Sequence, residues 1–382
     1  DFDPSLAPPP PRHDSFAART VEGDEVVEIP VGPIHAGIIE PGHFRLSAVG
    51  ETLLSLDAQL FYTHRGIEKV AEGRGPDGAL AVVERTCGAC AASHAVAFAS
   101  ACEQLAGARI PRRAAWGRTL LLELERLYNH LGDAGNMCAG GALAIGTMTG
   151  AAMKEAVQRR VERLVGHRFL RGAVALGGLR RDLPREELDA LRRELPRWRE
   201  EAGRFAQLVL GSEGFVNRMR GAGILSPDLV RALGGVGVLA RASGVDVDLR
   251  RDRPYLLYGE LPLTVPRQAS GDAEARFRQR IDEALVTLDL LARLLAAEPD
   301  GPVRAPIGAW PAGVGIGAVE SPRGANVHWV RLDERGRIDR ARIRSASFPN
   351  WAIVPLAVPG NLVPDFPLIN KSFELCYSCL DR

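Results

Sequence analysis

Long apolar runs are missing from this chain. No stretch reaches the roughly 18–20 uninterrupted apolar residues that a membrane span needs. The nearest candidates, Ala139 to Met153 and Trp351 to Leu368, are broken by Gly or by Pro and Asp, so the chain is not expected to cross a bilayer. A charge excess is missing too. Lys plus Arg (48) nearly cancels Asp plus Glu (47), so no long-range field favours nucleic acid or an anionic membrane, and partners must be recognised locally. Six cysteines in 382 residues are too few for a disulfide scaffold. Disorder is excluded for most of the chain, since 46% hydrophobic and 25% charged residues suffice for a large core, with room for two lobes. An initiator Met and a basic-then-apolar leader are absent at Asp1-Phe2-Asp3-Pro4, and Pro8 to Pro11 form a stiff run. Residues 1–25 therefore read as a Pro-rich linker or N-terminal extension whose upstream domain is missing.

What is present begins with residues 26–60. Short apolar runs (Val26-Val27, Val31-Gly32-Pro33, Phe44-Arg45-Leu46, Leu53-Leu54) alternate with Gly and Pro, a pattern of short strands and a hairpin. From His94 the period becomes helical: Ala97, Ala101 and Leu105 share one face, and Leu120, Leu124, Leu127 and Leu131 repeat the signal after Pro111. Further helical blocks cover about 150–166, 185–211 and 273–297. Gly177 to Pro184 and Gly211 to Ser226 read as connectors, and 303–370 as short strands punctuated by Pro. The expected class is α+β, mainly helical: a helical bundle flanked by small β elements from both chain ends.

Four of the cysteines form two Cys-x-x-Cys pairs, which points to a reducing compartment and a metal. Arg85-Thr86-Cys87-Gly88-Ala89-Cys90-Ala91-Ala92-Ser93-His94 opens a helical segment, with His94 one turn beyond Cys90. A helix N-terminus and a neighbouring Arg both favour thiolate, the form that binds metal. The second pair, Cys376-Tyr377-Ser378-Cys379, comes from the other end of the chain. Taken alone, the residues leave three readings open: structural zinc, a softer redox metal, or a cysteine redox pair. Cys102 and Cys138 lie in apolar helical pattern and read as buried, inert thiols.

The combination of Arg-x-Cys-Gly-x-Cys-x-x-x-His with a late Cys-x-x-Cys resembles the two signatures of [NiFe]-hydrogenase large subunits. Several further segments resemble the energy-converting, formate hydrogenlyase type, which is homologous to the 49-kDa subunit of complex I. They are Gly32-Pro33-Ile34-His35, Glu40-Pro41-Gly42-His43-Phe44-Arg45-Leu46, His64-Arg65-Gly66-Ile67-Glu68-Lys69, Glu123-Leu124-Glu125-Arg126 with Asn129-His130-Leu131-Gly132-Asp133, Glu320-Ser321-Pro322-Arg323-Gly324, and Ser372-Phe373. The resemblance implies that 26–382 is a hydrogenase large-subunit domain. It implies nickel held by Cys87, Cys90, Cys376 and Cys379, with Cys90 and Cys379 bridging to an iron that carries carbon monoxide and cyanide. It further implies Arg323 as a cation beside the anionic centre, His94 as a donor to the sulfur of Cys90, and Glu40 as first proton acceptor, with Glu374 and Asp133 as further candidates. Glu68 would hold a third metal, magnesium in the family pattern, or pair with Arg382 instead.

Two departures accompany the resemblance. Relatives place Asp-Pro before the third ligand cysteine, where this chain has Glu374-Leu375, which keeps the charge but removes a rigid backbone constraint. The chain stops at Arg382, an endpoint that reads as a matured or trimmed C-terminus. No iron–sulfur pattern remains once the four cysteines are assigned, so the resemblance implies a [4Fe–4S] small subunit docked around Glu40 to Phe44 and the loop before Cys87. Membrane ion-translocating subunits or a formate dehydrogenase module are further implied partners, and nucleic acid is not one. The implied location is cytoplasmic, peripheral on the cytoplasmic face of the prokaryotic membrane.

Overall fold

The computed structural model describes residues 19–34 and 40–382. Residues 1–18 of the Pro-rich segment, and His35, lie outside the described residues. The alternating N-terminal pattern forms an antiparallel sheet of β1 (Val26–Val31), β2 (His43–Val49) and β3 (Thr52–Gln59). Phe44 and Leu46 of β2 turn into the core at the two-residue strand period, and a register shift opposite Ser47/Ala48 brings both Leu53 and Leu56 of β3 into it, three residues apart. Two short helices, α1 (Ile67–Ala71) and α2 (Pro76–Val83), lead to α3 (Ala91–Leu105).

The helical body follows: α4 (Arg112–Gly140), α5 (Ala144–Val165), the two-residue strands β4 (Val174–Ala175) and β5 (Gly178–Leu179), and α6 (Arg185–Leu210). In α6 the buried residues Leu188, Leu191, Leu195, Trp198, Ala202, Phe205 and Val209 recur every three or four positions. Each such large apolar side chain taken out of water contributes about 1.5–3 kcal/mol. The central helix α4 has no such polarity of faces. It buries Arg118, Glu123, Arg126 and His130 as well as its leucines. Those charges are paired: Arg118 with Glu103 of α3 at 2.6 Å, and His130 Nε2 with Glu283 at 2.9 Å.

Four short helices, α7 (Glu213–Met219), α8 (Pro227–Ala232), α9 (Val238–Ala242) and α10 (Leu249–Asp252), precede α11 (Ala273–Ala296), which packs along α4. A second antiparallel sheet, β6 (Gly313–Ser321), β7 (Gly324–Leu332) and β8 (Ile338–Arg344), lies on α3. Gly315 and Gly317 let the β6 backbone rest on the carbonyls of Ala101 and Ala97, where any Cβ would overlap them. The chain closes with α12 (Ser347–Trp351) and α13 (Phe366–Phe373), the latter against α4.

The expectation of strands across 303–370 holds only as far as Arg344. Beyond it the prolines begin short helices instead: Pro355, Pro364 and Pro367 occupy first-turn positions, where a missing N–H costs nothing. The connector expected over Gly211 to Ser226 likewise contains α7. Among the described residues, no helix is long and apolar enough to cross a membrane.

Candidate metal centre

Cys87 sits in the loop between α2 and α3, and Cys90 is the residue that caps α3. The backbone N–H of Cys90 donates to Cys87 Sγ at 3.3 Å. The free N–H groups of the first turn are not left to the cysteines alone. Glu125, reaching across from α4, accepts from the N–H groups of Ala92 (2.7 Å) and Ser93 (2.9 Å) and from the Ser93 hydroxyl.

The second pair follows α13. The Cys376 N–H donates to Ser347 Oγ at 3.1 Å, and Cys376 Sγ lies 3.0 Å from Ser378 Oγ. Arg65 staples the two segments together: its guanidinium donates to the carbonyls of Arg85 (2.9 Å) and Thr86 (2.6 Å) before Cys87, and to that of Ser378 beside Cys379. The thiols of Cys87, Cys376 and Cys379 consequently lie within 4.8 Å of one another, and Cys90 is in hydrogen-bonding contact with Cys87. Cys87, Cys90 and Cys379 are buried, and Cys376 is partly exposed.

The electrostatics of this cluster are uneven. Contacts from Cys376, Cys379 and Cys90 hold the Cys87 thiol well below its ordinary range. That thiolate, and burial, push Cys90 well above. Cys379 is raised by Cys376, by Cys87 and by burial. At Cys376 the contact with Cys379 lowers the value, but Cys87 and burial outweigh it, and the thiol is pushed up to about 12. In the bare protein these crowded, buried thiols oppose one another's ionisation. Ionising all four requires a cation in their midst, which is what a soft metal supplies, so the donor set fits one.

Around the cluster, Arg323 comes from the turn between β6 and β7. It donates to Asn129 Oδ1, to Asp133 Oδ1 at 2.9 Å and from Nε to the Glu374 carbonyl at 3.1 Å, and its charge lies against Cys90 and Cys87. Asp133 is spent on that pair, with Arg280 Nε 3.8 Å from its other oxygen; it reaches the cysteines only through Arg323. Glu374 is half-buried, accepts from Asn136 Nδ2 at 2.6 Å, and is pushed up to about 7 by burial and by Asp133. A cavity of about 520 Å³ is lined by Glu40, Arg323, Glu374, Cys376 and Tyr377. Gly42 lets the segment after Glu40 approach the site: a Cβ at 42 would fall 2.6 Å from the Tyr377 ring.

His94 departs from expectation. Its ring does not serve Cys90: Nε2 faces Cys379 Sγ at 3.9 Å, because Nδ1 is turned to His328 Nε2 (3.0 Å) and Asn326 (3.3 Å) on β7. Burial lowers His94 to about 4, so the ring is neutral. Glu68 accepts from Arg382 Nε (3.0 Å), Arg342 Nη1 (3.2 Å) and the Ile343 N–H (2.7 Å). Two guanidiniums already neutralise this carboxylate, so a third metal does not fit there. Of the expected residues, then, the four cysteines, Arg323, His94, Glu40 and Glu374 share one site, Asp133 supports it, and Glu68 belongs to a neighbouring ion pair. Arg65 and Glu125 lie in segments that carry the resemblance but had no role assigned to them, and Asn326 and His328 were not singled out at all; the only signal was the resemblance of the segments that hold Arg65 and Glu125.

A model of the respiratory-chain NADH dehydrogenase 49-kDa subunit matches residues 141–310 and 307–382, and one of the nickel-dependent hydrogenases matches residues 65–132. The chain belongs to the [NiFe]-hydrogenase large-subunit family related to the complex I 49-kDa subunit. Formate hydrogenlyase subunit 5 of Escherichia coli is 35% identical over 93% of this chain, which spans 63% of that relative's length. The membrane-bound hydrogenase subunit alpha of Pyrococcus furiosus is 31% identical over 93% of this chain and 87% of its own. The fold matches a chain of the membrane-bound sulfane sulfur reductase, an archaeal respiratory membrane complex, with a TM-score of 0.88 at 27% identity, covering 94% of this chain and 99% of the other. Within this large-subunit family the hydrogenase model ends inside α4 and the 49-kDa model begins just after it, so the two Cys-x-x-Cys pairs fall under different models.

Proposed function

We propose that this chain is the metal-carrying large subunit of a [NiFe]-hydrogenase, which splits dihydrogen reversibly into two protons and two electrons. The observation that carries this reading is the meeting of Cys87, Cys376 and Cys379 within 4.8 Å of one another, with Cys90 against Cys87, although the two pairs come from opposite ends of the chain. Cys376 borders a cavity and is partly exposed, which leaves an approach to the metal that a closed structural zinc site lacks. In the family pattern Cys87, Cys90, Cys376 and Cys379 would hold nickel, with an iron bearing carbon monoxide and cyanide beside it; a centre bound there would supply the polarisation of dihydrogen. The chain's own residues do the rest. Arg323 offsets the negative charge of the thiolates, and Glu40 or Glu374 takes the proton at a carboxylate oxygen facing the cavity. Neutral His94 orients Cys379 without competing for that proton.

Electrons leave through a partner, a [4Fe–4S] small subunit docked around Glu40 to Phe44 and the loop before Cys87. The assembly sits peripherally on the cytoplasmic face of the membrane, with ion-translocating subunits or a formate dehydrogenase module attached. Elemental analysis for nickel, with infrared bands of carbon monoxide and cyanide on iron, tests the reading; zinc in place of nickel, with no such bands, would end it. The sulfane sulfur reductase match supports a second reading, a subunit acting on sulfur chains. That reading predicts sulfane sulfur reduction without dihydrogen/deuterium exchange.

A further inference from the structure

Glu374, two residues before Cys376, is the only member of this stretch with a left-handed backbone (φ 51, ψ 43). A non-glycine residue holds that conformation only when its surroundings over-determine it. Three arginines grip the turn. Arg276 Nε donates to Ser372 Oγ at 2.8 Å, and its guanidinium lies 4.1 Å over the Phe373 ring. Arg280 Nη2 donates to the Phe373 carbonyl and Arg323 Nε to the Glu374 carbonyl, each at 3.1 Å.

Arg276 and Arg280 are otherwise hard to account for. Both project from α11 and are buried, at 0% and 2% exposure. Arg276 has no ion pair among the described residues, and Arg280 has only a long one, Nε to Asp133 Oδ2 at 3.8 Å, on a carboxylate already paired with Arg323. Arg276 spends its remaining donors on the carbonyls of Gly271, Gly223 and Ala222, and Arg280 on the Arg276 carbonyl and Met137 Sδ. Two buried cations held mainly by neutral groups, with one shared carboxylate 3.8 Å away, are costly as stability devices. What their donors secure is the backbone after α13.

We infer that Arg276 and Arg280, with Arg323, are positioning residues that lock the left-handed turn at Glu374 and so deliver the Cys376 thiol to Cys87. The clamp does for Glu374-Leu375 what a proline would do by covalent restraint, and it does so with the opposite geometry. A proline at 375 disfavours the compact ψ of Glu374 and pushes it towards extended backbone. The turn and the proline are therefore alternative solutions that exclude each other.

This inference rests on the reading of Cys376 as a metal ligand, so the test carries one readout that needs no metal. The full chain, purified without oxygen, is titrated with cobalt(II) alone and followed by its thiolate charge-transfer absorption, and the alkylation rate of Cys376 is measured by mass spectrometry on metal-free protein. Arg280→Met is expected to weaken cobalt binding about tenfold or more, the scale of a charged hydrogen bond lost, and to speed alkylation. Arg276→Met should act in the same direction, and Arg280→Lys should recover part of both readouts. Adding Glu374→Gly to Arg280→Met should restore them further, since glycine enters the left-handed region unaided. Leu375→Pro should weaken cobalt binding although it removes no contact to the cluster. Wild-type protein without a thiolate band would defeat the metal reading and leave alkylation to decide the turn. Unchanged alkylation and cobalt affinity in Arg280→Met, or tighter binding in Leu375→Pro, would overturn the clamp.

Discussion

Glu40 and Glu374 face the same cavity, and they divide the proton-transfer question between them. If Glu40 is the acceptor, Glu40→Gln should leave nickel content intact and slow dihydrogen/deuterium exchange by about 10²–10⁴-fold, the usual loss for a positioned acid–base group. Unchanged exchange would move the role to Glu374, whose carboxyl is raised to about 7. Exchange would then rise with pH through about 7 as that group ionises, and Glu374→Gln would remove the rise. Glu125 makes a different pH prediction. Burial, ahead of its hydrogen bonds, pushes it up to about 8 from 4.5, so the folded chain keeps a proton that the unfolded chain releases. Its contribution is full below pH 4.5 and is lost as pH rises towards 8. Thermal unfolding of Glu125→Gln should show a flatter pH dependence over that window. The motif around His94 was legible in the sequence, but its partner was not: helical spacing places His94 above Cys90, whereas His328, on a strand more than two hundred residues later, decides which sulfur the ring faces.

The long helices α4, α5, α6 and α11 were readable because apolar residues at three- and four-residue intervals give the period directly. The short helices after Arg344 were not, since Pro in an apolar run signals a break whether the next element is a strand or a single helical turn. The C-terminal latch belongs to this scale. Arg382 also donates to the Cys379 carbonyl (3.1 Å) and stacks 4.7 Å over Phe348, so it ties α12, Glu68 and the last ligand together. Breaking a buried ion pair costs about 3–5 kcal/mol, but Arg342 and the Ile343 N–H still serve Glu68 when Arg382 is removed. Arg382→Ala should therefore cost less than that range in denaturant unfolding, while nickel occupancy falls because Cys379 loses its anchor. Equal occupancy would show the latch to be dispensable. Arg65→Ala removes the bonds to both cysteine segments at once and should lower nickel retention more than Arg382→Ala does.

For the molecule as a whole, the expected mainly helical α+β body with sheets from both chain ends is what the fold displays. The convergence of the two cysteine pairs could be suspected from their identical spacing, but not measured, because nothing local encodes a contact across nearly the full chain. Replacing any one of Cys87, Cys90, Cys376 or Cys379 by Ser should abolish nickel retention, since a hard hydroxyl is a poor substitute for a soft thiolate; elemental analysis of the purified variants reads this out. The separation of the pairs also governs timing. A chain emerging from the ribosome carries Cys87 and Cys90 with no counterpart to meet until residues 376–379 have followed. A centre built on both pairs would therefore be completed only after that late segment is free, and a polypeptide lacking it would offer an ion half a cage.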